Sequence, residues 1–214
     1  MDLLVELRTV LVLLGGKTVL RDLNLELAPG HAIGISGPNG SGKTTLARVL
    51  ATLQRIEAGD ASILGCDATT PDVYQVRRQI GLVGHSPALI PELTLEENLK
   101  HLARIGGFGN DRVGAALDVV GLGDAARQRA DEASFGMNRR IEFAHLLIRK
   151  PRLVLLDEAI TGLDENAVDL IGAVIQTTTE RGGGVVLVSH DKVQLSRFSD
   201  VVMNLDGGRL EVIN

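Results

Sequence analysis

"GPNGSGKT", residues 37–44, is the stretch that decides the fold. It follows the short apolar run "HAIGIS" (31–36) and opens "KTTLARVLATL" (43–53), whose apolar residues have helical spacing. The pattern G-x-x-x-x-G-K-[ST] between a strand and a helix is a phosphate cradle. Its glycines let successive backbone N–H groups converge on phosphate oxygens. The helix N-terminus adds positive potential. The expected binding residues are Gly37, Pro38, Asn39, Gly40, Ser41, Gly42, Lys43, Thr44 and Thr45. Lys43 suits the β and γ phosphates of a nucleoside triphosphate, and the Thr44 hydroxyl suits Mg²⁺. A chance glycine-rich turn would not come with a strand before it and a helix after it.

A second signal lies in "RLVLLDEA" (152–159), an apolar run that ends in Asp157 and Glu158. A strand buried on both faces has no structural use for two acids at its end. Asp157 suits the Mg²⁺ shell through water, and Glu158 suits polarising an attacking water. The plain alternative is a strand leaving for solvent, or a cap on the next helix. His190 ends "GVVLVSH" (184–190) in the same way. Parallel strand ends line the crevice where ligands bind, so a γ-phosphate contact is expected of His190.

The chain has 214 residues, 44% hydrophobic and 23% charged, which suits one soluble globular domain with a substantial core. Aromatic residues make up 2%, so the core must rest on Leu, Val, Ile and Ala. A net charge of -5 argues against nucleic acid as the partner. Cys66 is the one cysteine, which leaves no internal disulfide and fits a reducing compartment. The start "MDLLVELRTVLVLL" lacks a basic leader and a cleavage site, and no apolar run has the length of a membrane span.

Around these signals the chain reads as α/β. "TVLVLL" and "KTVL" flank Gly15-Gly16, a hairpin signal, and "LNLEL" (23–27) alternates. Apolar strands "QIGLVG", "RLVLLD" and "GVVLVS" are separated by helical stretches, notably 163–176. That alternation implies a mostly parallel sheet covered on both faces. "LDGGRLEVI" (205–213) is a closing hairpin. Residues 88–149 read as an inserted helical sub-domain, in which Thr94 and Glu97 form a capping box. Residues 1–87 and 150–214 then form a nucleotide-binding core with antiparallel strands at its N-terminus.

In this order the pieces resemble the ATP-binding subunit of an ABC transporter, over essentially the whole chain. The specific parts are "SFGM" (134–137), then "LVLLDEAITGLD" (153–164), then "VLVSHD" (186–191). The resemblance implies a P-loop, RecA-like ATPase fold that uses ATP and Mg²⁺. Carried over, Ser134, Gly136 and Met137 are signature positions that contact the nucleotide of a second copy. Asp157 and Glu158 are the Walker B acid and the catalytic base, Asp164 is the D-loop acid and His190 the switch histidine. Two copies, or one copy and a second ATP-binding subunit, would pair head to tail on an integral-membrane permease. The chain would then lie in the cytoplasm, on the inner face of the cell membrane. Residues 87–107 would meet the permease.

Four departures from the family pattern stand out. Leu14 takes the place of an aromatic that stacks on adenine, which implies weak base discrimination. His85, in "LVGHSP", takes the place of the Q-loop Gln. Phe135 and Met137 replace a signature Gly and Gln, and Ala159 replaces a Pro. Phe135 must point away from the phosphate, and Arg139 and Arg140 are expected on a solvated face of the helix or in ion pairs. "PELTLEENL" (91–99) and the form Ser-x-Gly-Met resemble the haem-exporter ATPases of c-type cytochrome biogenesis, and also other bacterial exporter ATPases, including drug-efflux types. Alternatives are a lipid-efflux exporter, a soluble scaffold ATPase for iron–sulfur assembly that never meets a membrane, and a regulatory subunit that does not hydrolyse. A kinase or GTPase fits less well: a guanine-reading Asn-Lys-x-Asp is missing, and a kinase has no role for the signature stretch.

Overall fold

The computed structural model describes residues 2–160 and 165–213, with backbone only for 165–167. The chain divides into two compact units. One comprises Met1–Leu82, Pro151–Glu158 and Ile175–Asn214, and the other Val83–Lys150 and Ala159–Val174.

The first unit starts with strands β1 (Val5–Leu14) and β2 (Lys17–Leu27), which pair antiparallel across the Gly15-Gly16 turn. Both glycines have positive φ, as a tight hairpin of this twist requires. The runs "KTVL" and "LNLEL" are one strand rather than two. Asp22 adopts a left-handed φ of 48°, and the pairing shifts register there without breaking. Asn24 stitches the irregularity: its Oδ1 accepts from the Thr9 N–H (2.9 Å), and its Nδ2 donates to the Asp22 carbonyl (2.9 Å). Leu23, Leu25 and Leu27 all face the core.

Next come β3 (Ala32–Ser36), α1 (Lys43–Leu50), β4 (Ala58–Ile63), β5 (Cys66–Asp67) and β6 (Ile80–Val83). β4 and β5 join the first hairpin in an antiparallel sheet ordered β2-β1-β4-β5. Neither was expected from "AGDASILGCD", which mixes small, polar and turn residues; β4 is recruited by pairing with β1. Later in the chain are β7 (Leu153–Asp157), β8 (Gly184–Val188), β9 (Val201–Asp206) and β10 (Arg209–Ile213). The main sheet is ordered β10-β9-β3-β8-β7-β6. β3 pairs parallel with β8 and β9, and β7 pairs parallel with β8, while β9 and β10 form the closing hairpin. Every residue of β3, β7 and β8 is buried, as expected for strands covered on both faces. The chain is therefore α/β, with a mostly parallel sheet and a smaller antiparallel one.

The second unit is helical. It carries α2 (Leu95–Ile105), α3 (Val113–Val119) and α4 (Phe135–Arg149). Thr94 caps α2 in the expected box: its hydroxyl accepts from the Glu97 N–H, and Glu97 accepts from the Thr94 N–H (2.9 Å). Leu95 and Leu99 are fully buried one turn apart, each contributing about 1.5–3 kcal/mol. Phe143 and Ile141 of α4 are fully buried as well. Asn98 is buried and satisfied. It accepts from the Ile90 N–H (2.7 Å) and donates to the Ile90 carbonyl (3.0 Å), which pins the loop before α2. Two further α-helices are α5 (Glu165–Glu180) and α6 (Lys192–Phe198). Among the described residues no helix is long and apolar enough to cross a membrane.

Candidate functional site

The phosphate loop joins β3 to α1 within the first unit. Gly42 is the N-cap of α1, in a left-handed conformation (φ 106°), and no side chain caps the helix. The first turn holds no acid, so its N–H groups and positive potential face an incoming anion. Gly37 shows why glycine is needed. A Cβ there would lie 2.2 Å from the Leu205 carbonyl oxygen. Lys43 is buried and donates from Nζ to the carbonyls of Gly37 (2.8 Å) and Pro38 (3.0 Å), which holds the ammonium inside the curve of the loop. Ser41 Oγ is buried without a hydrogen-bond partner, an orphan that a phosphate oxygen would satisfy. Beside the loop, Lys17, Val19, Arg21, Asn39 and Gly208 line a cleft of about 540 Å³. Leu14 stands at the end of β1, paired with Lys17 and 41% exposed, so the cleft's neighbour is aliphatic where stacking would need a ring.

Asp157 and Glu158 end β7, as the sequence implies. Asp157 is 4% exposed and pairs in register with Val188 of β8. Glu158 turns into the left-handed region (φ 53°), while its N–H still bonds the Val188 carbonyl (2.9 Å). That turn aims its carboxylate at His190, whose Nδ1 lies 3.0 Å from Glu158 Oε2. The structure thus pairs His190, expected at the γ-phosphate, with Glu158. Asp191 then caps α6, accepting from the N–H groups of Val193 and Gln194. Thr44 supplies an exposed hydroxyl and Asp157 a buried carboxylate, both hard oxygen donors suited to Mg²⁺. Among the described residues no cluster of His, Cys, Asp and Glu forms a metal cage. Such a donor set fits an ion that takes its other ligands from phosphate and water.

The second unit carries the signature stretch. Ser134 is the N-cap of α4, and its Oγ accepts from the Met137 N–H (3.2 Å). Gly136 has open space where a Cβ would stand, its nearest neighbour being Ser134 Oγ at 3.9 Å. Phe135 is 45% exposed, and its ring lies under the Arg139 guanidinium at 5.2 Å.

Of the two expectations for Arg139 and Arg140, the ion pair holds for Arg139 and the solvated face does not. These arginines do not form an exposed face: Arg139 is fully buried and Arg140 half-buried. Arg139 donates to the carbonyls of Gly84 (2.6 Å) and His85 (2.7 Å) and to Glu142 (2.7 Å). Glu142 in turn accepts from the Ala88 N–H (3.1 Å). Burial pushes the Glu142 carboxyl up, and the Arg139 charge pulls it back. Two ionisable residues three apart beside a Phe were the available signal for this cluster; "NRRIEF" read as an ordinary charged helix face hid it. His85 is exposed. Asp164 lies outside the described residues.

A phosphate loop between β3 and α1, and two acids at the end of the parallel strand β7 of the same sheet, define a P-loop nucleotide-binding core. Comparison with known proteins narrows this. The ABC transporter family model matches residues 20–161. The Nod factor export ATP-binding protein I of Rhizobium etli is 34% identical over 91% of this chain and 63% of its own length. The daunorubicin resistance ATP-binding protein DrrA3 of Streptomyces coeruleorubidus is 36% identical over 92% and 63%. A solved ATP-binding subunit of an ABC transporter superposes with a TM-score of 0.87 at 27% identity, over 97% of this chain and 88% of that one. A dimeric ATP-binding cassette in a post-hydrolysis state with ADP and Pi gives 0.85 at 27%, over 97% and 96%. The chain belongs to the ABC transporter family, as an ATP-binding domain. It spans less than two thirds of the length of these two curated relatives.

Proposed function

We propose that the chain binds and hydrolyses ATP as the motor subunit of an ABC transporter, paired in a dimer on a membrane permease. The observation that carries hydrolysis is the Glu158–His190 pair at 3.0 Å, one residue beyond the buried Asp157. Glu158 accepts the proton of the attacking water as the new oxygen–phosphorus bond forms and the bond to ADP breaks. His190 orients that carboxylate. Lys43 and the N–H groups of the loop take up charge on the phosphates. Mg²⁺, held by Thr44 and Asp157, would neutralise phosphate charge. Intact Lys43, Glu158 and His190 also weigh against a purely regulatory subunit. In the dimer, the Ser134 end of one copy would meet the nucleotide of the other, as the resemblance implies, with Asp164 and His85 completing the site.

Export is the direction supported by the relatives named for Nod factor export and daunorubicin resistance, although an iron-import ATP-binding protein of Photorhabdus laumondii is also 34% identical. Haem export is the narrower reading, carried by "PELTLEENL" and Ser-x-Gly-Met. Glu158→Gln is the test of the motor. ATP-dependent dimerisation should persist while turnover falls by roughly 10²-fold or more. Unchanged turnover removes Glu158 as the base. Purification with a polytopic permease supports transport, and recovery with soluble partners alone sinks it.

A further inference from the structure

The chain enters its second unit at Val83, and the next residues, Gly84 to Ala88, form no regular element. Two side chains of α4 reach this segment with hydrogen bonds. Arg139 holds the carbonyls of Gly84 and His85 with the two arms of its fork, and Glu142 holds the N–H of Ala88. The two side chains are bonded to each other at 2.7 Å and stand almost wholly out of water. Phe135, in the first turn of the same helix, lies over the guanidinium. A buried charge pair is a poor way to gain stability, because desolvation offsets most of the attraction. What it does well is fix geometry: a planar fork with two carbonyls and a carboxylate has one arrangement.

We infer that Arg139 and Glu142 are positioning residues that lock the His85 segment to the helix headed by Ser134, so that the two phosphate-facing groups of this unit move as one body. This rests on the ATPase reading above. In that reading His85 faces the nucleotide of its own copy, and Ser134 faces that of the partner. A disturbance at His85 is then transmitted to the head of α4 through three hydrogen bonds, without any need for the side chain of His85 to touch α4.

The test uses the full chain and the double variant Arg139→Met with Glu142→Leu, which replaces the pair by apolar groups of similar size and so keeps the helix packed. Hydrogen exchange at the Ala88 amide should speed up strongly. ATP affinity of the monomer should stay within about twofold, while ATP-driven dimerisation and turnover fall roughly tenfold or more. In a His85→Ala background the same double variant should cost less than about twofold further, because the lock then has nothing to position. Two results overturn the inference: turnover that survives loss of Ala88 protection, or losses that simply multiply in the His85→Ala background. A wild-type chain that hydrolyses no ATP would instead sink the ATPase reading, while the exchange measurement would still report on the lock itself.

Discussion

The phosphate loop and the head of α4 are both helix N-termini, built in opposite ways. α1 starts behind glycines, with no capping side chain, and a neighbouring carbonyl fills the place of a Cβ at Gly37. α4 starts behind Ser134, whose hydroxyl is already engaged by Met137, with a phenyl ring in its first turn. The first is shaped by removing atoms and the second by adding them. A site made by removal tolerates no substitution at its glycines. A site made by addition depends on what lies beneath it, here Arg139 and the carbonyls more than fifty positions upstream.

Gly37→Ala should give the largest effect. The added Cβ meets the Leu205 carbonyl, and the residue's φ of 150° is one that side chains rarely adopt. The loop must shift, and nucleotide affinity should fall by roughly 10²-fold or more, as for other strained backbone sites. Titration calorimetry with ATP reads this; an unchanged affinity would break the contrast between the two helix heads.

His145 sharpens the contrast from the α4 side. Desolvation, followed by the charge of Arg149, pushes its imidazole down to about 4, against an opposing bond to the Leu102 backbone. Its Nε2 is buried without a partner, so a proton added there would find no acceptor. The unfolded chain takes that proton near 6.5. The folded pKa is depressed, so this contribution is full above pH 6.5 and is lost as pH falls towards 4. It amounts to about 3 kcal/mol. Denaturant melts at pH 7 and pH 4.5 should show His145→Leu losing less stability than the wild type over that interval. An equal loss in both would clear His145.

Phe135→Gly should be the smallest change. A cation–π contact made by a ring half in water is worth about 0.5–1 kcal/mol. ATP-driven dimerisation, measured by sedimentation, should move by less than about tenfold. A strong rise would make the ring a brake on pairing.

The parts of the chain that were legible as sequence are those whose physics is local. The loop 37–44, the acids after β7, the box at Thr94 and the turn at Gly15-Gly16 each need particular residue types at adjacent positions. β4 was not legible, because its pairing with β1 and not its composition makes it a strand. The joining of two expected strands into β2 was hidden for the same reason: Asn24 repairs the interruption by reaching across to Thr9. The burial of Arg139 was hidden because its carbonyl partners lie at 84 and 85, and no periodicity within α4 reports them. The pairing of Glu158 with His190 depends on parallel neighbours β7 and β8 ending level, a matter of sheet order.

Glu158 carries one more consequence. Its left-handed backbone is about 1–2 kcal/mol dearer for a glutamate than for a glycine. The residue that best suits this φ has no carboxylate, and the residue that bears the carboxylate sits there under strain. Selection for heat resistance alone would therefore drift towards glycine at this position and remove the carboxylate that pairs with His190. The strained backbone carries a side chain that glycine lacks, and His190 meets that side chain at 3.0 Å.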